Sequence, residues 1–239
     1  MPEHEIITSR DNARIKRARK IREGNVDGRM FVEGVRLCEE LLRSSVEFES
    51  VFVSEQALSN ERAAALVDAL RRRGADVHSV KASVFDSLPD TRNSQGIVVT
   101  VLRPDDSGKA LNAAFAADAS VLPIVVVLHR ANNPSNVGSV FRTAEAAGTV
   151  GIILTGGSAD AFSPKALRAS MGSAFRLPVW RTAELLSAVG WGKERGLIAT
   201  GADVGADTMH YSADWQSPRL LVFGSEAHGL SGEERELMA

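Results

Sequence analysis

"HRANNPSNVGSVFRTAEAAG", residues 129–148, follows five apolar residues, Ile124 to Leu128. A buried strand here passes directly into a helix, and the way the chain makes that passage decides the fold class. Pro134 disfavours helical backbone at Asn133, so the chain turns there, and Asn136 is suited to cap the helix that follows. Val137, Val140, Phe141, Ala144 and Ala147 fall on one apolar stripe. Gly138 and Arg142, four apart, share the opposite side, and the missing side chain at Gly138 leaves open space beside the guanidinium. Spacing alone leaves two readings: a capped helix with a surface arginine, or a helix start that presents an arginine to a ligand.

The same alternation continues downstream. "VGIILTGG" reads as a strand and "SPKALRASMG" as a helix with Ser163 at the N-cap and Pro164 at the first helical position. A short strand near 175–180, a helix over 182–196, and strands over 197–201 and 219–224 follow. Strands this uniformly apolar predict a parallel sheet with helices on both faces. Upstream, strands over 30–34, 50–55, 76–80 and 96–101 alternate with helices over 35–45 and 59–74, the latter stopped by Gly74. The expected organisation is therefore α/β throughout: a small N-terminal α/β domain over 1–102, a linker over 103–122 with one modest helix, and a second α/β domain over 123–239.

Composition excludes several classes. The chain has 239 residues, 44% of them hydrophobic and 24% charged, which is ordinary for a globular protein. A single cysteine, Cys38, cannot form an intramolecular disulfide, and the first thirty residues hold no signal-like apolar core; a cytoplasmic location is expected. No apolar run approaches the roughly 18 to 20 residues that cross a bilayer, so no membrane partner is expected. One cysteine and five scattered histidines make no convincing metal set. Phosphate-loop and dinucleotide fingerprints are missing, as is a G-x-S-x-G elbow.

Net charge is only −2, yet "RDNARIKRARKIR", residues 10–22, carries seven cations and one acid. Arg10, Arg14, Lys16, Arg17, Arg19, Lys20 and Arg22 form a candidate RNA-binding arm, because cation density of this kind supplies phosphate contacts. A solvated helix end is the competing reading. Two further segments gather polar and glycine residues at strand ends, where open α/β sheets bind ligands. In "SPKALRASMGSAFRLPV" (163–179), Lys165 and Arg168 could face a phosphate or simply be solvated. In "LLVFGSEAHGLSGEE" (220–234), Gly224 and Gly229 flank Glu226, and Ser231 with Glu234 form a capping box. His228, without a titratable partner, reads as incidental.

These three segments, in this order, resemble the three motifs of the TrmH/SpoU family of the SPOUT superfamily, the RNA 2′-O-ribose methyltransferases. "ITSRDNARIKRARKIR", "MFVEGVRLCEELL" and "DTRNSQGIVVTV" resemble the substrate-binding domain that precedes the catalytic domain in many members. The resemblance implies S-adenosylmethionine-dependent 2′-O-ribose methylation of structured RNA, ribosomal RNA before transfer RNA, by a homodimer that needs no metal. Carried over by position, it implies Asn136, Arg142 and Glu226 as catalytic residues, and backbone at Thr155, Gly156 and Gly224 as cofactor-binding. In the family the third motif continues into segments like I-P-M and S-L-N-V that complete a trefoil knot. Here the sequence stops at "GEERELMA", so the catalytic domain is expected to be C-terminally incomplete, and a knot only if the chain continues past Ala239. A non-catalytic ribosomal-RNA-binding protein on the same fold is the alternative, and a small-molecule methyltransferase a weaker one.

Overall fold

A computed structural model describes residues 6–91, 94–117 and 122–238. In chain order its helices are α1 (Ala13–Arg22), α2 (Val35–Leu42), α3 (Glu61–Arg72), α4 (Ala82–Phe85), α5 (Lys109–Ala117), α6 (Pro134–Ala146), α7 (Pro164–Ser170), α8 (Leu185–Lys193) and α9 (Gly232–Glu236). The strands are β1 (Arg29–Glu33), β2 (Phe48–Ser54), β3 (Asp76–Val80), β4 (Ile97–Leu102), β5 (Ile124–Leu128), β6 (Gly151–Leu154), β7 (Val179–Arg181), β8 (Ile198–Ala202) and β9 (Arg219–Phe223). The chain forms two compact units, one of residues 1–104 with 162–175, the other of 105–161 with 176–239.

The first unit holds a four-stranded mixed sheet in the order β1-β4-β2-β3, with only the β2–β3 pair parallel. Ile15, Ala18 and Ile21 of α1 recur every three residues and pack with Phe31, Phe52 and Val98 of the sheet and with Phe85 and Leu88. The helix is therefore pinned along one stripe, and its cations occupy the remaining surface. The segment 162–175, which contains α7, packs with this unit although it lies far along the sequence.

The second unit is a five-stranded, wholly parallel sheet in the order β7-β6-β5-β9-β8. The chain runs outward from β5 through β6 to β7, then returns to place β9 on the other side of β5. The strand order thus reverses between β5 and β9, the place where such sheets bind ligands beyond their carboxyl ends. Val125, Val127, Leu220 and Val222 point to one face and pack with Leu185, Ala188 and Val189 of α8 and with Leu230. Val126 and Ile152 alternate to the other face, and α6 buries Val137, Phe141 and Ala144 and contacts β6.

Three sequence expectations change. Within the expected linker, residues 109–117 pack as part of the second unit: α5 buries Leu111 in its core, and the Trp191 indole N–H donates to Asn112 Oδ1 at 2.8 Å. The cap of α6 is Asn133, not Asn136. Proline fixes a backbone suited to the first helical position, so the residue before it becomes the cap, and Asn133 is extended (φ −91°, ψ 114°) with its side chain accepting from the Ser135 N–H. Gly138 lies among the buried residues of α6 rather than on an open face, while Ala147 is exposed. Among the described residues no helix is long and apolar enough to cross a membrane.

Phe141 is fully buried and is the largest side chain that α6 contributes to its core. Phe141→Ala is expected to lower the unfolding free energy by about 3 to 5 kcal/mol, read by chemical denaturation; a loss below about 1 kcal/mol would show that α6 does not anchor the sheet.

Candidate active site

Register positions the site. Leu128 pairs with Leu154 on one side and Phe223 on the other, so β5, β6 and β9 end at one level. The next residues, His129, Thr155 and Gly224, consequently emerge side by side. Backbone bonds continue the alignment past the strands, from the His129 N–H to the Phe223 carbonyl at 2.8 Å and from the Thr155 N–H to the Leu128 carbonyl at 3.1 Å.

Above this floor the first and third motifs meet. The Glu226 carboxylate accepts from the Asn132 N–H at 3.3 Å, the Asn133 N–H at 3.4 Å and the Asn136 side-chain amide at 3.2 Å. Because Asn133 does the capping, Asn136 sits inside the first turn with its amide free to reach across to Glu226. Burial pushes the Glu226 carboxyl upward, but its own backbone N–H, the Asn136 amide and the N–H groups of Asn132 and Asn133 outweigh it and hold the group below the ordinary glutamate value. The carboxylate is thus charged and fixed. Arg142, two turns into α6, is exposed, and no hydrogen bond or ion pair engages it among the described residues.

The glycines are places where backbone meets backbone. A Cβ on Gly224 would lie 2.2 Å from the Gly229 carbonyl carbon, and one on Gly156 2.6 Å from the Ala183 carbonyl oxygen. The loop after β9 closes on itself through paired backbone bonds between Ser225 and Gly229. Gly156 and Gly157 are exposed at the lip. Of the residues expected to hold a cofactor, Gly156 is exposed and Gly224 half-buried at the strand ends, whereas Thr155 is buried, and the N–H groups of Thr155 and Gly156 bond to the carbonyls of Leu128 and Ala183. His228 is exposed, and its backbone N–H donates to Ser225 Oγ.

Sequence reasoning missed His129. It is buried, with Nδ1 2.8 Å from Thr155 Oγ1 and Nε2 2.8 Å from Glu234 Oε1. Glu234 belongs to the expected capping box, accepting from the Ser231 N–H at 2.8 Å. Burial pushes the Glu234 carboxyl up, and the Ser231 N–H, His129 and Arg130 together bring it below the ordinary value. The one available signal was a histidine placed directly after an apolar strand.

The other candidates fare differently. Arg168 is not free for a phosphate: Nη1 lies 3.0 Å from Glu33 Oε1 and Nη2 2.7 Å from Asp90 Oδ2. Glu33 is buried, which makes this a structural pair within the first unit. Lys165 is exposed. In the basic arm, Arg10 donates to the Ser83 carbonyl, Arg22 to those of Leu88 and Pro89, and Arg19 to the Ser87 hydroxyl. Arg17 pairs with Glu49, and Lys16 with Asp11. Arg14 and Lys20 are exposed without a partner among the described residues. The high cation density thus serves in part to fasten α1 to its neighbours. No group of three or more metal-binding side chains occurs among the described residues.

A parallel sheet with polar, glycine-containing strand ends at its reversal point is an α/β ligand-binding architecture, and the chain matches a known version of it in both parts. Residues 123–239 match the SpoU rRNA methylase family, and residues 31–106 match the substrate-binding domain of RNA 2′-O ribose methyltransferases. The protein belongs to the SpoU/TrmH family of RNA methyltransferases. An uncharacterized tRNA/rRNA methyltransferase of Synechocystis is 29% identical over 97% of this chain and 82% of its own length. A 23S rRNA (uridine(2479)-2′-O)-methyltransferase of Streptomyces viridochromogenes is 35% identical over 47% of this chain and 41% of its own length. Among solved structures, the AdoMet-bound rRNA methyltransferase of Sinorhizobium meliloti is 26% identical, with a TM-score of 0.76 over 97% of this chain and 85% of its own. The AdoMet complex of the SpoU methyltransferase AviRb from Streptomyces viridochromogenes gives 25% identity and a TM-score of 0.81, over 95% of this chain and 86% of its own.

The two lowered carboxyls set an acid dependence. A group whose folded value is depressed contributes stability that is complete above its unfolded value, about 4.3 for glutamate, and is lost as pH falls through the folded value. The melting temperature is therefore expected to fall below about pH 4.3 more steeply in the wild type than in Glu226→Gln,Glu234→Gln. Parallel melting profiles in this range would show that neither carboxylate is held by its partners.

Proposed function

We propose that the protein is an S-adenosylmethionine-dependent 2′-O-ribose methyltransferase of structured RNA, with ribosomal RNA as the target class. The observation that carries this reading is Glu226, held charged by Asn136 and two backbone N–H groups where the first and third motifs meet, with an exposed and unengaged Arg142 further along the helix that Asn136 begins. Support for the cofactor comes from the AdoMet-bound structures above, and support for the RNA class from the named activity of the Streptomyces relative.

The residues fit a cofactor gripped by backbone. The loop after β6, with Gly156 and Gly157 exposed, and the closed loop after β9 present peptide groups rather than long side chains at the strand ends. When bound, S-adenosylmethionine supplies an electrophilic methyl group on a sulfonium. Thr155, Gly156 and Gly224 would hold it through backbone. Asn136 and Glu226 lock the first-motif turn to the third-motif loop, so that the two walls of the crevice keep one geometry. Arg142 orients the ribose and its neighbouring phosphate, and its charge eases loss of the hydroxyl proton. It does not act as base, because a guanidinium has donors only and no lone pair free to take a proton. On the first unit, Arg14 and Lys20 offer charge to the RNA backbone, with Lys16 and Arg17 beside them in exposed, weak pairs. The reading includes a homodimer, as the family resemblance implies.

Methylation of an unmodified ribosomal RNA transcript with labelled cofactor tests the reading. Arg142→Ala is expected to cut turnover at least about a hundredfold, the scale set by losing one charged group from a transition state, while RNA binding persists. Unchanged turnover would remove Arg142 from the reaction. Replacing Arg14 and Lys20 with glutamine is expected to weaken RNA affinity and flatten its salt dependence by about two phosphate contacts. An unaltered salt slope would place the RNA elsewhere.

A further inference from the structure

Behind the crevice lies a line of polar groups that the reaction as described does not use. His129, 4% exposed, spans from Thr155 Oγ1 to Glu234 Oε1 at 2.8 Å on each side. A carboxylate can only accept, so Nε2 carries the proton in the bond to Glu234; in the single-proton tautomer this sets, Nδ1 accepts the Thr155 hydroxyl proton. Thr155 Oγ1 in turn accepts from the Arg130 N–H at 3.3 Å. Glu234 Oε1 also meets Arg130 Nη1 at 3.2 Å, and Oε2 takes the Ser231 N–H at the start of α9. Arg130 has left-handed backbone, φ 54°, which costs energy for a residue with a side chain and turns the chain sharply after His129.

One imidazole therefore fastens three separate segments: the loop after β6, the end of its own strand β5, and the first turn of α9. An apolar side chain would fill the same space but would fix neither loop. An unpaired imidazole there would bear the cost of burying unsatisfied nitrogen. The Thr155 hydroxyl meets His129, and the residue that follows, Gly156, is exposed at the strand ends. Holding the hydroxyl thus helps to set the rotation of the peptide that leads into Gly156.

We propose that His129 is a positioning residue for methyl transfer: through Thr155 it fixes the loop that holds the cofactor, and through Glu234 it fixes the helix that closes the third motif. The inference rests on the proposed cofactor reading. His129 touches neither substrate nor cofactor, so its loss acts on geometry.

The test compares the wild type with His129→Gln, Thr155→Val, the double variant and Thr155→Ser, using S-adenosylmethionine calorimetry and nitrogen-15 spectra of the imidazole. Thr155→Val keeps shape and backbone, and Thr155→Ser keeps the hydroxyl. Each of the first two is expected to weaken cofactor binding about tenfold, the scale of a lost buried hydrogen bond. The double variant is expected to be no weaker than His129→Gln alone, and Thr155→Ser to bind as the wild type does. The wild-type spectrum is expected to show a protonated Nε2 and a bare Nδ1. Equal binding by folded Thr155→Val, additive losses in the double variant, or any proton on Nδ1 would overturn the positioning role while the cofactor reading stands. Absence of binding heat from the wild type would instead overturn the cofactor reading, and the positioning role with it.

Discussion

The site depends on one constraint, the common level at which three parallel strands stop. Leu154, Leu128 and Phe223 are register partners across β6, β5 and β9. In a parallel ladder the strands share direction, so equal register also means that their following loops leave on the same side. Three sequence segments separated by tens of residues are brought together without any long side chain having to reach. The burial of Val125, Val127, Leu220 and Val222 supplies the driving force for this arrangement, at the ordinary scale for apolar area removed from water. A slip of one residue in β9 would turn Leu220 and Val222 away from their core and send Glu226 out of reach of Asn132 and Asn133. The same packing that stabilises the sheet therefore aligns the site.

Electrostatics then separates the charges that have protein partners from one that has none among the described residues. Arg168, Arg17, Arg10 and Arg22 all have protein partners. Exposed pairs of this kind add little stability, but the buried Glu33 needs Arg168, because an isolated carboxylate there would be costly. Arg142 has no such obligation among the described residues. An unsatisfied surface guanidinium costs nothing in water and is available to a phosphate. Glu226 is the opposite case: a strand-end carboxylate kept ionised by groups that are themselves fixed by the turn at Pro134.

What the sequence made legible follows from how local each signal is. The alternation of β and α elements, the parallel sheet and the capping box at Ser231 and Glu234 depend on nearby residues, and the structure shows all of them. The cap of α6 fell one turn away from its expected place because two asparagines compete there, and the proline between them decides for Asn133. Gly138 was assigned to an open face by helical spacing alone, which says where a residue points but not what lies opposite. The basic arm was legible as charge. Its hydrogen bonds to carbonyls at Ser83, Leu88 and Pro89 come from residues 66 to 73 positions away, and no local pattern encodes those. His129 was hidden for the same reason, since Glu234 lies 105 residues downstream.

The distribution of side chains around the crevice explains why glycine recurs at its edges. At Gly224 a methyl group would stand 2.2 Å from the Gly229 carbonyl carbon, far inside contact distance, so even alanine would force the loop after β9 open. The loop carries Glu226, and Glu226 holds the turn that starts α6. Opening it would therefore move Asn132, Asn133 and Asn136 together and carry Arg142 with their helix. Gly156 makes a similar approach to Ala183 on the other side of the crevice. Rigidity here arises from backbone packed on backbone, with few rotatable side chains to order, which keeps the entropic cost of a fixed geometry low. A ligand bound against such walls would meet a surface already in place, with little left to order on binding.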